Sequence, residues 1–128
     1  MSKLGCVCGH VIRDQTDFVP YKAMFIRDQD DEDYHAYADD IAAFIEDIKA
    51  DKRTEWIKNH FSVSYPIDMP NSHIINDIIM NYEMKFTGTL YQCENCSRVK
   101  IQVQGTNLFA SFAPEDENSQ NIFSRFRE

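Results

Sequence analysis

Leu4-Gly5-Cys6-Val7-Cys8-Gly9-His10 near one end of the chain and Leu90-Tyr91-Gln92-Cys93-Glu94-Asn95-Cys96 toward the other contain all four cysteines of the 128-residue sequence. Thiols gathered into two close pairs far apart in the chain are the pattern of one four-sulfur metal site that ties distant segments together. The Cys-x-x-Cys pair lies between strand-like segments, so its turn points both sulfurs to one side. The Cys-x-Cys pair converges because residues one apart share a side of an extended strand, and Gly5 and Gly9 let the backbone approach the sulfurs. His10 is a reserve ligand outside a tetrahedral shell that Cys6, Cys8, Cys93 and Cys96 already fill. A closed shell keeps no position for water, so the metal expected here folds the protein rather than catalysing a reaction.

The choice of metal follows from the compartment. No charged segment followed by an apolar stretch opens the chain, and no run approaches the ~20 apolar residues needed to cross a bilayer. The expectation is a cytoplasmic protein with no membrane contact. Thiols there are kept reduced, which favours structural Zn2+ over disulfides.

The rest of the chain divides by period. Val11-Ile12 and Ala23-Met24-Phe25-Ile26 read as short strands. From Asp33 to about Ala50, Tyr34, Tyr37, Ile41, Phe44, Ile45 and Ile48 recur at three- and four-residue steps and share one face of a helix. A second helix is expected over Thr54 to His60, started by Thr54 or Asp51, with Trp56, Ile57 and Phe61 turned inward. Pro66 and Pro70 mark an extended connection. Asn71 or Ser72 then caps a third helix whose buried stripe is Ile74, Ile75, Ile78, Ile79 and Tyr82. Met84, Phe86, Gly88 and Leu90 alternate with polar neighbours, and Arg98 to Gln104 is a period-two strand with one apolar and one polar face. A turn at Gly105-Thr106-Asn107 returns the chain as a third strand from Leu108 to Ala113. Glu115 to Gln120 reads as mobile, with Ile122, Phe123 and Phe126 available to dock a short terminal helix.

The two cysteine stretches resemble the knuckles of a zinc ribbon interrupted by a helical insertion from about 31 to 82. The fold implied is α+β, an antiparallel zinc-ribbon-like β-meander with that insertion between its knuckles. It forms one zinc-stapled domain over 1–113, followed by a C-terminal tail over 114–128.

Charge narrows the function. The net charge is −8, and between Arg27 and Asp51 ten acids (Asp28, Asp30, Asp31, Glu32, Asp33, Asp39, Asp40, Glu46, Asp47, Asp51) face only Arg27 and Lys49. That segment carries the whole imbalance. Its field repels phosphate backbones and steers a basic partner, so nucleic acid is not the expected ligand. The acidic run 28–35 lacks the glycine and terminal glutamate of a calcium loop, and no nucleophile is placed beside His60 or His73. No enzyme is expected. By type, a small acidic chain without catalytic groups resembles the immunity proteins of bacterial toxin systems. That resemblance implies an inhibitor that covers the basic active surface of a nuclease-type toxin or enzyme. Its partner-binding residues would be Asp30, Asp31, Asp33, Asp39, Asp40, Glu46 and Asp47, with Tyr34, His35 and Tyr37 as anchors at their edge. The alternative is a zinc-ribbon accessory of transcription or RNA handling, with Lys85, Arg98 and Lys100 on nucleic acid.

Overall fold

A computed structural model describes residues 2–126. The final two residues of the 114–128 tail thus lie outside the described residues. The chain is α+β and divides into two compact units, one built from residues 1–25 with 88–128 and the other from 26–87. Among the described residues, no helix is long and apolar enough to cross a membrane.

The 26–87 unit is helical. After one 3-10 turn at Asp28–Asp30 come α1 (Asp31–His35), α2 (Tyr37–Lys49), α3 (Arg53–His60) and α4 (Asn71–Phe86). Phe44, Trp56, Ile57, Ile74 and Ile78 form its buried core, with Tyr37, Ile41, Ile48, Phe61 and Tyr82 at the margin. The periodic stripe is therefore right in outline, but it is narrower than expected, because Ile45 is 40% exposed. One continuous helix from Asp33 is also not what forms. The Ala36 N–H reaches back to Asp33 as well as Tyr34, a three-residue closure that tightens the turn and separates α1 from α2. Asp51 closes α2 in the left-handed region (φ 59°), and the next N–H, of Lys52, bonds to the Asp47 carbonyl at 2.7 Å. Asp tolerates that conformation better than most residues.

Neither α3 nor α4 begins with a side-chain cap. Asn71, expected to cap α4, is used differently, its Oδ1 accepting a hydrogen bond from Arg53 Nε at 2.7 Å. The same guanidinium donates to the carbonyl oxygens of Ile67, at 2.6 Å, and Met69. A loop with two prolines has few backbone donors of its own, and the arginine fork satisfies the carbonyls left over. Farther on, α4 continues through Met84 and Phe86, where alternation predicts a strand. Tyr82 and Phe86 stack one turn apart at 6.2 Å, and only at Thr87, whose hydroxyl bonds to the Glu83 carbonyl at 2.6 Å, does the helix end.

The other unit holds the sheets. A strand that the sequence reading did not foresee, β1 (Ser2–Gly5), pairs antiparallel with β2 (Val11–Asp14), Leu4 opposite Ile12. A second sheet has the order β3 (Lys22–Ile26), β4 (Thr87–Gln92), β5 (Val99–Gln102), β6 (Phe109–Phe112), with β4–β5 and β5–β6 antiparallel. Register puts Tyr91, Lys100 and Ser111 on one face, and Leu90, Ile101 and Ala110 on the other. The β1–β2 hairpin covers the polar face. Thr89, Tyr91, Gln102 and Phe109 line one cavity of about 340 Å³ together with Lys3, Leu4 and Ile12 of the β1–β2 hairpin. Lys100 is 2% exposed and donates to Ser111 Oγ at 2.7 Å. Asp14 receives both Lys22 Nζ (2.5 Å) and the Tyr91 hydroxyl (2.6 Å). These two donors hold its carboxyl below the usual carboxylate range, and burial with the Asp14 bond pushes Tyr91 up.

No terminal helix forms among the described residues. The buried amide of Gln92 holds the tail instead, donating to the Ser119 carbonyl at 2.5 Å and accepting from the Ile122 N–H at 3.1 Å.

Arg53→Lys keeps the charge but loses the fork. It should cost the helical unit about 2 kcal/mol in urea unfolding, the worth of one or two charge-assisted hydrogen bonds plus exposed loop carbonyls. A lysine variant as stable as the parent would show that the fork is dispensable.

Candidate metal centre

Each cysteine pair sits at the tip of a hairpin. Between β1 and β2 the chain turns over Cys6–His10, where the Gly9 N–H bonds to the Cys6 carbonyl at 2.9 Å and the Cys6 N–H to His10 at 2.9 Å. The two thiols thus converge through a tight turn, not along an extended strand as the sequence suggests, and the turn needs the left-handed φ of 96° that Gly9 supplies. Between β4 and β5 the Ser97 N–H bonds to Cys93 at 2.9 Å and the Cys93 N–H to Arg98 at 2.8 Å, with Ser97 left-handed at φ 67°.

The four Sγ atoms lie within 4.8 Å of one another, a group that could hold one metal ion. Sulfurs from opposite knuckles are closest, Cys6 to Cys96 at 3.5 Å and Cys8 to Cys93 at 3.6 Å. They also form the core of this unit, where Cys6, Cys93, Ile12 and Tyr91 are the buried set, with Leu4, Tyr21 and Phe109 around them. Expected residues Cys6, Cys8, Cys93 and Cys96 are all in the cluster. His10 is outside it, its Nε2 3.2 Å from Glu94 Oε1.

The sulfurs differ electrostatically. Cys8 is lowered to about 6, first by the Asn95 amide, whose Nδ2 donates to its sulfur at 3.3 Å, and next by the His10 backbone. Cys93 is pushed up to about 12 by burial, against partial relief from the backbones of Cys96 and Asn95. Burial also opposes ionisation of Cys96, but the Arg98 backbone and guanidinium, with Nη1 at 3.2 Å, win and lower it. Asn95 and Arg98 are functional neighbours that the sequence reading assigned to no role at the metal. Their only signal was position, one inside the Cys-x-x-Cys loop and one two residues beyond it.

The acidic partner residues belong to the helical unit and are not part of the cysteine cluster. Asp30 is in the 3-10 turn, Asp31 and Asp33 are in α1, and Asp39, Asp40, Glu46 and Asp47 are in α2. Asp31, Asp33, Asp39 and Glu46 are exposed. Asp40 is turned to internal use, accepting the Tyr82 hydroxyl at 2.7 Å, a bond that with burial raises Tyr82 to about 12. Tyr34 and Tyr37 are half-buried and pack edge-on at 5.5 Å. Of the bases available to the nucleic-acid alternative, Lys100 is buried and Arg98 is bonded to Cys96.

Fold and site together define a small α+β protein with a four-thiol candidate metal centre built into the core of one unit. Residues 2–118 match the model of a family described as a domain of unknown function (DUF8617), and the chain belongs to that family. No curated protein and no solved structure matches it.

Asn95→Ala removes the donor that most lowers Cys8. The Cys8 thiol should move from about 6 toward its ordinary value near 9, so the knuckle offers less thiolate to a metal at pH 7. Loss of bound metal to a competing chelator should quicken several-fold in the variant at pH 7 and change little at pH 10. An unshifted pH profile of metal loss would remove Asn95 from the site.

Proposed function

We propose that Cys6, Cys8, Cys93 and Cys96 hold one structural zinc ion, and that the protein is a non-catalytic binding protein whose acidic helices meet a basic partner. The observation that carries the metal half is the convergence of four thiols from two hairpin tips. The donor set fits zinc. A tetrahedral Zn–thiolate site with bonds of about 2.3 Å spaces its sulfurs by about 3.8 Å, close to the 3.5 and 3.6 Å found between the knuckles. Bound zinc supplies two positive charges and a cross-link between the hairpins. The chain's own donors, Asn95, Arg98 and the knuckle N–H groups, spread the excess negative charge of four thiolates.

The partner half rests on where charge resides. Residues 26–87 carry 14 acidic and 6 basic side chains, whereas the remainder carries seven of each. A surface of that kind accelerates encounter with a basic protein and adds affinity where opposite charges align. The action it suits is that of an immunity or inhibitor protein covering the nucleic-acid-binding surface of a nuclease-type toxin, which requires no chemistry of the inhibitor.

The protein as isolated should contain one zinc per chain by elemental analysis. A strong chelator should collapse the chemical-shift dispersion of residues 2–25 and 88–126 while the helical far-UV signal persists, because the helical core includes no cysteine. Metal-free protein with both sets of signals intact would defeat the zinc assignment.

Asp31, Asp33, Asp39 and Glu46 replaced together by lysine should abolish salt-sensitive capture of a basic protein from the source cells, at unchanged helicity. Asp40 is left in place because Tyr82 needs it. Equal capture by parent and variant across a salt series would show that the acidic helices are not the binding surface.

A further inference from the structure

The side of the sheet opposite the β1–β2 hairpin is covered unevenly. At β4 the buried Gln92 holds the tail there, Leu90, Val99, Ile101 and Ala110 are half-buried, and only toward β6 does this side end in exposed apolar groups. Val103 is 44% exposed, Leu108 69% and Phe112 56%. β6 is also an edge strand, paired only with β5 in the sheet. Natural edges are commonly protected by lysine, proline or a bulge. Here nothing charged occurs from Ile101 to Pro114, and β6 itself, Phe109-Ala110-Ser111-Phe112, has neither lysine nor proline.

We propose that this edge is an interface with a second copy of the same chain, in which β6 pairs antiparallel with its symmetry mate and the exposed Val103, Leu108 and Phe112 side chains become covered. The charge distribution selects the occupant. Residues 26–87 hold the entire excess of −8, while the unit that bears β6 has seven acids and seven bases. A basic partner is drawn to the acidic helices and finds nothing to read on an uncharged edge. A second copy can approach through this neutral unit without the like-charge repulsion that would meet it at the helices. Two identical strands paired antiparallel satisfy two-fold symmetry by construction, since wherever one residue of the first strand faces a second residue of its mate, the reverse contact is made on the other side of the axis. Main-chain bonds supply the affinity and the apolar fringe excludes water, as in other strand-addition contacts.

Sedimentation velocity of the metal-loaded full chain over a concentration series tests this. The parent should show a reversible monomer–dimer equilibrium that survives high salt. Phe112→Lys should raise the dimer dissociation constant about tenfold or more, because two ammonium groups would be brought into a dry contact. Leu108→Lys lies outside the paired strand and gives the same readout should Phe112→Lys disturb folding, with metal content and far-UV spectrum as controls. Lysine at Asp39 and Glu46 should leave the equilibrium unchanged. A parent that stays monomeric to the highest concentration attainable would overturn the proposal. So would a dimer that tolerates both Phe112→Lys and Leu108→Lys, or one that dissociates with salt.

Discussion

Four sulfurs confined within 4.8 Å of one another are a constraint on which the whole sheet-bearing unit depends. Four thiolates at that spacing repel strongly, and burial resists their ionisation further, so they cannot all be charged without a compensating cation. The divergent thiols express this conflict, with Cys93 raised by burial while Cys8 and Cys96 are lowered by donors aimed at them. Little else in that unit can take over the task. Its buried hydrophobic cluster is two cysteines, one isoleucine and one tyrosine, far less apolar volume than an independent domain of its length ordinarily buries. A metal ion joining the knuckles would convert the repulsion into the strongest cross-link available, and the proposed zinc is in that sense the missing part of a core.

The helical unit is built on the opposite economy. Phe44, Trp56, Ile57, Ile74 and Ile78 interlock without polar help, and Phe44 packs its ring on Trp56 at 4.9 Å. A unit that folds by ordinary burial can carry a concentrated surface charge, because the self-repulsion of exposed carboxylates is screened and costs little compared with core packing. The division explains how one small chain can combine a neutral sheet surface with an acidic helical one. Each surface follows from what holds its unit together.

How much of this was legible in the sequence depends on the kind of signal. Cysteine spacing announced the site because two close thiol pairs far apart in a chain are the pattern of one shared metal site, and all four expected residues converge. Helical period located α2, α3 and α4, since Phe44, Trp56, Ile74 and Ile78 must share an interior. Ends were less legible. The break at Ala36 and the run of α4 through Met84 and Phe86 depend on tertiary ring packing, which no local propensity encodes. The placement of Ile45 was missed for the same reason, as a 3.6-residue period marks a face but not how wide a neighbour covers it. Arg53 was invisible as a loop clamp because its three acceptors are 14 to 18 residues away.

Strand β5 shows the limit most sharply. Alternation from Arg98 to Gln104 identifies two faces correctly but is silent on which one is inside. That is decided by the hairpin from the other end of the chain, which meets this sheet where the four cysteines converge and which lands on the polar side. Polar groups buried there must be satisfied, and they are. Lys100 finds Ser111, Tyr91 finds Asp14, and Asp14 also takes Lys22. Such a network specifies register more stringently than apolar contact does. Sliding β5 by one residue would put the Lys100 ammonium on the apolar face and Ile101 under the hairpin, and every partner would be lost at once. The sheet therefore takes its alignment from hydrogen bonds on its covered side. On the other side Gln92 holds the tail, and the exposed Leu108 and Phe112 at the edge are not needed to fix that register.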